Sequence, residues 1–387
     1  MKLPPTTTWP SVGLLCLCSC TSPVFVGTDD EDTSTGTHVA SETSDAQVTT
    51  SASMDAASSV GAITEDTSAE STDGLRFDLP SVEVNSACLM PALDCDAYIN
   101  DDDQDLGLSL DLEHALGLNC EGGGVKSSGS LELAGAPGSW QVVGELGDDG
   151  SFAPRHGTRA VLLSTGVAAH ILLAPQEVVA KTECSQIGLP CPSTDFPEAY
   201  DLDELPPPLE AQALDCPPGQ PLPGPGDCSQ TIDSQWGGEP RLAHDYTELR
   251  FVAEVPADAA GITLHAAFFT AEYPPRFPTG YNDLGLLWLE SEQWTGNFAV
   301  HPTLQLPLAA EVLKDGFDHT GVDPALASFA FAEHAATDWM QLRAPVLPGE
   351  TITLVAAVFD VGDGQGDSAL LLDDLRWDCI APTLGHR

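Results

Sequence analysis

The chain has 387 residues and carries 13 Lys and Arg against 59 Asp and Glu, which gives a formal net charge of −46 at pH 7. A chain this acidic has almost no basic surface with which to release counterions from phosphate, so nucleic acid is excluded as a partner. Electrostatic attachment to anionic lipid is disfavoured for the same reason. The hydrophobic fraction of 42% is typical of a globular protein and excludes disorder over the whole length.

The first twenty residues have the features of an export signal. Lys2 supplies a positive charge, residues 12–17 form a short apolar run, and the small residue Ser19 precedes Cys20. The run is too short to cross a bilayer core of about 30 Å, which favours a cleaved signal over a membrane helix. We therefore predict a signal peptide over residues 1–19.

The end of this signal, Leu17-Cys18-Ser19-Cys20, resembles the lipobox of bacterial lipoproteins. The resemblance implies that Cys20 is lipidated and becomes the first mature residue, so that a lipid bilayer is a partner through the acyl chains. Since Thr21 is not the Asp that retains some lipoproteins in the inner membrane, the resemblance implies export to the outer membrane or cell surface. An ordinary secretory signal cleaved nearby is the alternative.

Residues 20–74 are rich in Ser, Thr, Ala and acidic residues. From Thr21 onwards they contain eleven acids and no Lys or Arg, with Phe25 as the only aromatic residue. Such a composition buries too little apolar surface to offset the loss of chain entropy on folding. We predict a disordered acidic tether that holds the body away from the lipid, with a root-mean-square span of roughly 40 Å.

The body, residues 75–387, is predicted to be all-β. Gly and Pro are frequent, and turn signals recur at short intervals. Between Leu249 and Val255 the odd positions are apolar while Arg250 and Glu254 are charged, which indicates a half-buried strand. We predict a β-sandwich or jelly-roll-like fold with long loops.

Other elements of the body follow from its apolar runs. A helical period occurs only at Ala325–Ala336, and the Pro-rich stretch 205–226 is predicted to be a stiff connector. Whether the body forms one domain or two remains open. Further strands, several of them apolar enough for burial on both faces, are predicted at Ile262–Phe269, Leu284–Leu289, Thr351–Phe359 and Ala369–Leu372.

Cysteine usage agrees with export. Beyond the signal and Cys20 the chain keeps eight cysteines, an even number that indicates disulfides in an exported protein. They are Cys88, Cys95, Cys120, Cys184, Cys191, Cys216, Cys228 and Cys379. On the order of a hundred connectivities exist for eight thiols. The predicted set is Cys88–Cys95, Cys184–Cys191, Cys216–Cys228 and Cys120–Cys379. Zinc is the alternative, but the mature chain has no CxxC pair.

Four blocks of the body form an ordered set of motifs. They read LLSTG (Leu162–Gly166), TELRFVAEVP (Thr247–Pro256), AFFTAEYPPRFPTGYNDLGLLWLESEQWTGNFAV (Ala267–Val300) and LPGETITLVAAVFDVGDGQGDSALLLDDLRW (Leu347–Trp377). Together they are similar to the choice-of-anchor L domain of bacterial surface and secreted proteins, over about Leu106–Cys379. The resemblance implies an exported, surface-displayed β-sandwich, and it supplies no reaction.

An acidic, glycine-rich loop, DVGDGQGD at Asp360–Asp367, lies between two predicted strands and offers a cation site. Calcium takes about six to eight oxygen ligands, and glycine lets the backbone fold round the ion. An acidic solvated turn is the alternative. A second acidic loop, Asp94–Asp105, is a weaker candidate. The cofactor predicted for the first loop is calcium, with candidate ligands Asp360, Asp363, Asp367, Asp373, Asp283, Asn282 and Glu272.

Signals for other functions are weak. The mature chain has no HExxH, GxSxG or GxxxxGK[ST] motif. Glu272 with Glu290 or Glu292 would offer a glycosidase-like carboxylate pair, as any acidic β-sandwich does. Six aromatic residues near the matched blocks would either stack on sugar rings or fill the core, and the core is favoured. They are Trp236, Tyr246, Tyr273, Tyr281, Trp288 and Trp294.

These observations predict a non-enzymatic, lipid-anchored cell-surface β-sandwich protein that is stabilised by calcium and serves adhesion or extracellular recognition. Its partners are predicted to be the bilayer, through acylated Cys20, and an extracellular glycan or protein. The alternatives are a carbohydrate-binding module and an extracellular polysaccharide hydrolase. Convergence of the Asp283 and Asp363 carboxylates would favour the cation site.

Overall fold

Strands dominate the part of the chain that the structure describes. The computed structural model describes Cys95 and residues 108–120, 124–129, 131–148, 150–179, 200–211, 231–236, 241–273, 281–300, 307–310, 313, 319–320, 324–332, 334–382 and 384–386. The strands are β1 (Glu132–Ala134), β2 (Trp140–Val143), β3 (Ala160–Ser164), β4 (His244–Glu254), β5 (Gly261–Thr270), β6 (Leu284–Glu290), β7 (Gly296–Asn297), β8 (Leu308–Ala309), β9 (His319–Thr320), β10 (Ala335–Ala336), β11 (Met340–Pro345), β12 (Thr351–Asp360), β13 (Ser368–Asp378) and β14 (Gly385–His386). The helices are α1 (Leu108–Leu116), α2 (Ala168–Ile171), α3 (Pro175–Val179) and α4 (Thr231–Gln235), with a 3₁₀ turn at Pro324–Leu326.

The strands form two antiparallel sheets. The six-stranded sheet has the order β1-β4-β12-β6-β7, with β8 also paired to β6. The eight-stranded sheet has the order β14-β11-β5-β13-β3-β2, with β10 paired to β5 and β9 paired to β10. The prediction of an all-β sandwich is confirmed.

Short strands form the margins of both sheets. In the six-stranded sheet, β1 has three residues and β7 has two. In the eight-stranded sheet, β2 has four residues and β14 has two. The central strands β4, β5, β12 and β13 have 10 or 11 residues each, so most of the backbone pairing lies in the interior of the sheets.

Strand β4 shows how the sequence pattern determines the two faces of a sheet. Leu249, Phe251 and Ala253 are at most 1% exposed, whereas Val252 between them is 37% exposed. Phe251 lies in register opposite Leu354 of the neighbouring strand β12. The predicted alternation is therefore confirmed, and the apolar positions of β4 form part of the core between the sheets.

Strand β5 is buried along its whole length because both of its faces are covered. Phe268 joins the core between the sheets. Phe269, on the opposite face, joins a second core, where its ring centroid lies 4.8 Å from that of Phe152 and 5.6 Å from that of Phe331. This double cover explains the continuous apolar run in the sequence of β5.

The helical period around Ala325–Ala336 does not correspond to an α-helix. The chain there makes a 3₁₀ turn, further turns and then β10. Its backbone bonds to a neighbouring loop: the Asp148 N–H donates to the Ala325 carbonyl (3.4 Å), and the Ser328 N–H donates to the Asp148 carboxylate (2.9 Å). The apolar spacing serves to place Phe331 in the second core, so tertiary packing overrides the helical pattern.

The disulfide connectivity differs from the predicted one. Cys95 is bonded to Cys120, with a Cα–Cα distance of 5.1 Å and a sequence separation of 25. The predicted pairs Cys88–Cys95 and Cys120–Cys379 are therefore wrong. Cys379 is also disulfide-bonded, to a partner other than Cys120. The prediction relied on spacing along the sequence. The packing of helix α1 on β3 and β13 instead determines the position of Cys120, which brings it next to Cys95.

Several predicted features lie outside the described residues. Residues 205–211 of the predicted connector are described, and Arg250 Nη1–H, on the outer face of the six-stranded sheet, donates to the Pro207 carbonyl (2.6 Å). Within the described ranges, no helix has the length and apolarity needed to span a membrane. The features outside are the signal 1–19, Cys20, the tether 20–74, Cys88, the loop Asp94–Asp105 apart from Cys95, the pairs Cys184–Cys191 and Cys216–Cys228, and residues 212–226 of the connector.

Candidate functional site

Six acidic side chains meet at the end of the sandwich where β4 begins and β12 ends. Asp360, the last residue of β12, lies in register opposite His244, the first residue of β4. Asp245 follows His244 in β4, and the other acids come from the residues that precede β6 or follow β5 and from the loop that joins β12 to β13. We call this group the carboxylate cluster, and its members are Asp245, Glu272, Asp283, Asp360, Asp363 and Asp367. Five of the seven predicted calcium ligands thus come together.

Asp283 and Asp360 form the buried centre of the carboxylate cluster. Each is 1% exposed, and their side chains are hydrogen-bonded to each other. Asp283 also accepts hydrogen bonds from the Ser368 hydroxyl (2.5 Å) and from the Val361 N–H (3.1 Å). Asp360 is hydrogen-bonded to the Thr165 hydroxyl, whereas its Oδ1 atom is buried without a hydrogen-bond partner among the residues that the structure describes.

The electrostatics of this pair follow from its burial. Burial raises the pKa of Asp283 from 3.8 to about 7, against the opposing effect of its hydrogen bonds. Burial also raises the pKa of Asp360 well above its usual range, and the charges of Asp283, Asp367 and Asp245 act in the same direction. Two adjacent carboxylates in a poorly solvated site are costly to ionise together. The pair therefore either shares a proton or requires a nearby cation.

Glycine allows the acids to approach the backbone closely. A Cβ atom on Gly366, which has a φ of +91°, would lie 2.9 Å from Glu272 Oε1. A Cβ atom on Gly166 would overlap the Asp367 carboxylate. Larger residues at these two positions would push carboxylates out of the cluster.

The carboxylate cluster is not a ready-made ligand set. Across the described ranges, no three His, Cys, Asp or Glu side chains are placed to hold a metal ion. Asp363 is half-buried and lies in the glycine-rich segment 361–367. For calcium to bind, the side chains of this segment have to rotate so that their oxygens converge on the Asp283–Asp360 pair.

Two predicted ligands lie elsewhere. Asn282 faces α4, where its Nδ2–H donates to the backbone carbonyl (3.2 Å) and side-chain oxygen (2.9 Å) of Gln235. Asp373 is five positions along β13 from Ser368, a distance on the order of 16 Å. Its Oδ2 accepts the backbone N–H groups of Arg155 (2.5 Å) and His156 (3.0 Å).

Sequence reasoning missed Asp245. Its φ of +48° is a left-handed conformation that Asp tolerates better than most residues, and its N–H donates to Asp201 Oδ1 (3.1 Å). A Cβ atom on Gly364 would lie 2.9 Å from Asp245 Oδ2. The register of β4 against β12 is the signal that would have found Asp245, and alternation alone does not provide that register.

The aromatic residues are mostly in the core. Trp288 and Tyr246 are fully buried and Trp236 is 3% exposed, with the Trp236 ring 5.6 Å from that of Phe359. The core role is therefore confirmed for these three, which removes them from any sugar-stacking surface. The remaining three are Trp294 and Tyr273, which pack partly buried against the core, and Tyr281, which is half-buried.

The predicted glycosidase carboxylates are not brought together. Glu272 belongs to the carboxylate cluster, whereas Glu290 lies at the far end of the seven-residue strand β6, on the order of 20 Å away. Glu292 is exposed just beyond Glu290. Glycosidase carboxylates are separated by about 5 to 10 Å, so Glu272 does not pair with either residue for such a reaction.

Comparison with known proteins identifies no family and only weak structural similarity. No protein-family model and no curated protein matches the chain. A selenomethionine-labelled β-glucosidase from Kluyveromyces marxianus matches 34% of this chain and 11% of its own, with 13% identity and a TM-score of 0.16. The same enzyme in complex with glucose matches the same shares, with 12% identity and a TM-score of 0.15. The matched part is thus about a third of this chain and about a tenth of that enzyme, and similarity this low bears on neither fold nor activity.

Proposed function

We propose that this protein is a non-enzymatic, lipid-anchored protein of the cell surface that serves adhesion or extracellular recognition, with calcium stabilising its β-sandwich body. The lipobox-like residues that end in Cys20 and the acidic segment 20–74 support the anchor. The resemblance to the choice-of-anchor L domain supports surface display. The disulfide Cys95–Cys120 agrees with an oxidising compartment outside the cytoplasm.

The buried Asp283–Asp360 pair carries the calcium part of the proposal. Both carboxyl groups are removed from water, and Asp360 Oδ1 has no hydrogen-bond partner in the described part of the chain. Removal of one charge by a proton is one way to relieve this cost, and a hard divalent cation is the other. Oxygen is the ligand that calcium prefers, and the charges of three more carboxylates, those of Asp245, Asp363 and Asp367, act on the pair.

Thermal unfolding of the full chain in calcium or chelator, at about pH 5 and about pH 8, distinguishes a shared proton from a bound cation. We expect calcium to raise the unfolding temperature at the higher pH, where the carboxyl groups release their protons, and to have little effect at the lower pH. Magnesium should act more weakly because it demands a small octahedral site and dehydrates reluctantly.

The variant Asp360→Asn is the matched test of the residues, because it preserves shape and removes one charge. We expect it to abolish the effect of calcium, whereas Asp373→Asn, at the other end of β13, should retain it. A wild-type protein whose unfolding temperature ignores calcium at both pH values would contradict the calcium part and favour a shared proton.

Acylation is tested separately by mass spectrometry of the protein from cell membranes. We expect acyl chains on Cys20 and their loss in Cys20→Ala, with release of the body into the medium, while Cys16→Ala in the signal serves as the control.

The adhesive role is tested by cell attachment. Cells that display the wild type should attach or aggregate more than cells with Cys20→Ala. Unmodified Cys20 on a cytosolic protein would overturn the anchor, and equal attachment would overturn the adhesive role.

A further inference from the structure

A polar pocket lies on the outer face of the eight-stranded sheet, towards the end of β13 that is remote from the carboxylate cluster. Its volume of about 480 Å³ is within the range of small-ligand sites. We call it the bulge pocket, and it is lined by Arg155, His265, Trp339, Gln341, Asp374 and Arg376.

A β-bulge in β13 creates this pocket. The register of β13 against β5 shifts between Asp373 and Arg376, and Asp374 within the bulge has a φ of +54°. A bulge re-aims neighbouring side chains. Asp373 accepts backbone N–H groups from the segment at Arg155, whereas the Asp374 carboxylate faces His265 of β5 with an Nδ1–Oδ2 distance of 3.0 Å.

The charges of the bulge pocket are unequally compensated. The Asp374 carboxylate pairs with Arg376, whose Nη1 lies 3.3 Å from Oδ2, and it also lies 3.0 Å from His265 Nδ1, which makes no hydrogen bond within the described residues. The guanidinium of Arg155 is exposed and forms no ion pair with any residue that the structure describes. The chain as a whole has only 13 Lys and Arg against 59 acids. Arg155 and Arg376 together with the single Asp374 carboxylate therefore give this pocket a local excess of positive charge.

Trp339 adds a donor that lacks an acceptor. Its indole Nε1 atom is buried and makes no hydrogen bond within the described part of the chain. A buried N–H group without a partner costs stability unless a water or a ligand accepts from it. The indole ring packs against the second core, which holds the donor in place. Beside it, Gln341 Oε1 accepts from Arg343 (2.6 Å), which orients the Gln341 amide.

We propose that the bulge pocket binds a sugar that carries one carboxylate, such as a uronic acid residue of an extracellular polysaccharide. Arg155 pairs with the sugar carboxylate through charge-assisted hydrogen bonds. The Trp339 Nε1–H donates to the sugar, and Asp374 and Gln341 bond its hydroxyls. The proposal rests on the recognition role above for its biological meaning, and the binding itself is independent of the anchor.

The charges of the bulge pocket favour a sugar with one carboxylate over a neutral sugar and over phosphate. A neutral sugar would leave Arg155 without an anionic partner. Repulsion from Asp374 and from the adjacent Asp373 acts on any anion and grows with its charge, so it disfavours a phosphate dianion more than a single carboxylate. A single negative charge with several hydroxyls matches a guanidinium and an N–H donor that both lack partners within the described part of the chain, together with a carboxylate acceptor.

Calorimetric titration of the full chain, carrying Cys20→Ala for solubility, tests the proposal with galacturonic acid, its tetramer, galactose and inorganic phosphate as probes. We expect the uronates to bind at least about tenfold more tightly than galactose or phosphate. Arg155→Ala should weaken uronate binding about tenfold or more, and Trp339→Phe, which keeps an aromatic ring but removes the N–H, should weaken it severalfold.

Arg241→Ala is the matched control, because Arg241 is also a partly exposed arginine but pairs with Asp233 far from the bulge pocket in sequence. It should leave uronate binding unchanged. No uronate binding at millimolar concentration, equal binding of galactose, tighter binding of phosphate, or equal effects of Arg155→Ala and Arg241→Ala would each overturn the proposal. None of these results bears on acylation or on calcium, so the two proposals fail separately.

Discussion

The two ends of strand β13 bury acidic residues in opposite ways. At the Ser368 end, Asp283 and Asp360 face each other, and further acids surround them. At the bulge end, Asp373 accepts two backbone N–H groups, and Asp374 lies between His265 and Arg376. All four acids are at most 6% exposed. Burial alone therefore does not determine how a buried carboxyl group is stabilised; the groups that contact it do.

The difference has a chemical consequence. An acid that faces donors is hydrogen-bonded by the protein itself, although burial still raises the pKa of Asp373 to about 7. Acids that face one another are satisfied only by a proton or by something that comes from solution. The carboxylate cluster is therefore the end where pH and divalent ions should act together.

The largest expected effect concerns pH. Burial raises the pKa of both Asp283 and Asp373 from 3.8 to about 7. A group with a raised pKa contributes its full stability below the unfolded-state pKa and loses it as the pH rises through the folded-state value. In chelator, we expect each group to lower the free energy of unfolding by about 4 kcal/mol between about pH 4 and about pH 8, as measured by urea unfolding.

Single amide variants then separate the two ends. Asp283→Asn and Asp373→Asn should each remove their own share of the pH dependence. Calcium should restore stability at high pH in the Asp373→Asn protein and fail to do so in the Asp283→Asn protein. If the two variants respond equally to calcium, the contrast between the ends of β13 is wrong.

The disulfide near the bulge end gives the next largest effect. The turn after α1 touches β13, since a Cβ atom on Gly117 would lie 3.1 Å from the Leu375 carbonyl oxygen. The bond from Cys95 to Cys120 closes a loop with a sequence separation of 25. Replacement of both cysteines by Ala should lower the free energy of unfolding by about 3 kcal/mol. The calcium response should survive, and its loss would show that the ends are coupled.

A smaller effect is expected from crowding the carboxylate cluster. Gly166→Ala places a methyl group against the Asp367 carboxylate and should lower the free energy of unfolding by about 2 kcal/mol. The double variant Gly166→Ala/Asp367→Ala should recover part of this loss relative to the sum of the single changes. Strict additivity in the double-mutant cycle would show that the two residues do not meet.

The smallest effect concerns the contacts of Asp374 in the bulge. Asp374→Asn keeps the shape and tolerates the positive φ, but it removes the charge that His265 and Arg376 contact. We expect a loss of about 1 kcal/mol in the free energy of unfolding, with no change in the calcium response. A changed calcium response in Asp374→Asn would break the distinction between the two ends.

The long strands could be predicted from the sequence because their patterns are local. Apolar runs and the alternation at β4 indicate strands before any pairing is known, and the glycine-rich acidic loop indicates a turn between β12 and β13. Five cluster members were predicted because they lie next to those runs. The segment Ala325–Ala336 failed because its apolar spacing serves packing onto a sheet and not a helix.

What the sequence could not provide depends on register. Asp245 enters the carboxylate cluster only through the pairing of β4 with β12, and Asp373 leaves it because a strand rises by about 3.3 Å per residue. The β-bulge beside the pocket reorients a side chain of β13, and the apolar pattern of the β13 sequence does not indicate it. The bond from Cys95 to Cys120 likewise depends on where α1 packs, which no cysteine spacing shows.

The brevity of the marginal strands, two to four residues each, would matter for a protein anchored as proposed above. Such an anchor would confine neighbouring copies to a plane and raise the rate at which their exposed backbone groups collide. Long unpaired strands at a sheet margin can pair with a second molecule and lead to aggregation. A ladder that starts on one of these short strands would gain only a few hydrogen bonds before the strand ends.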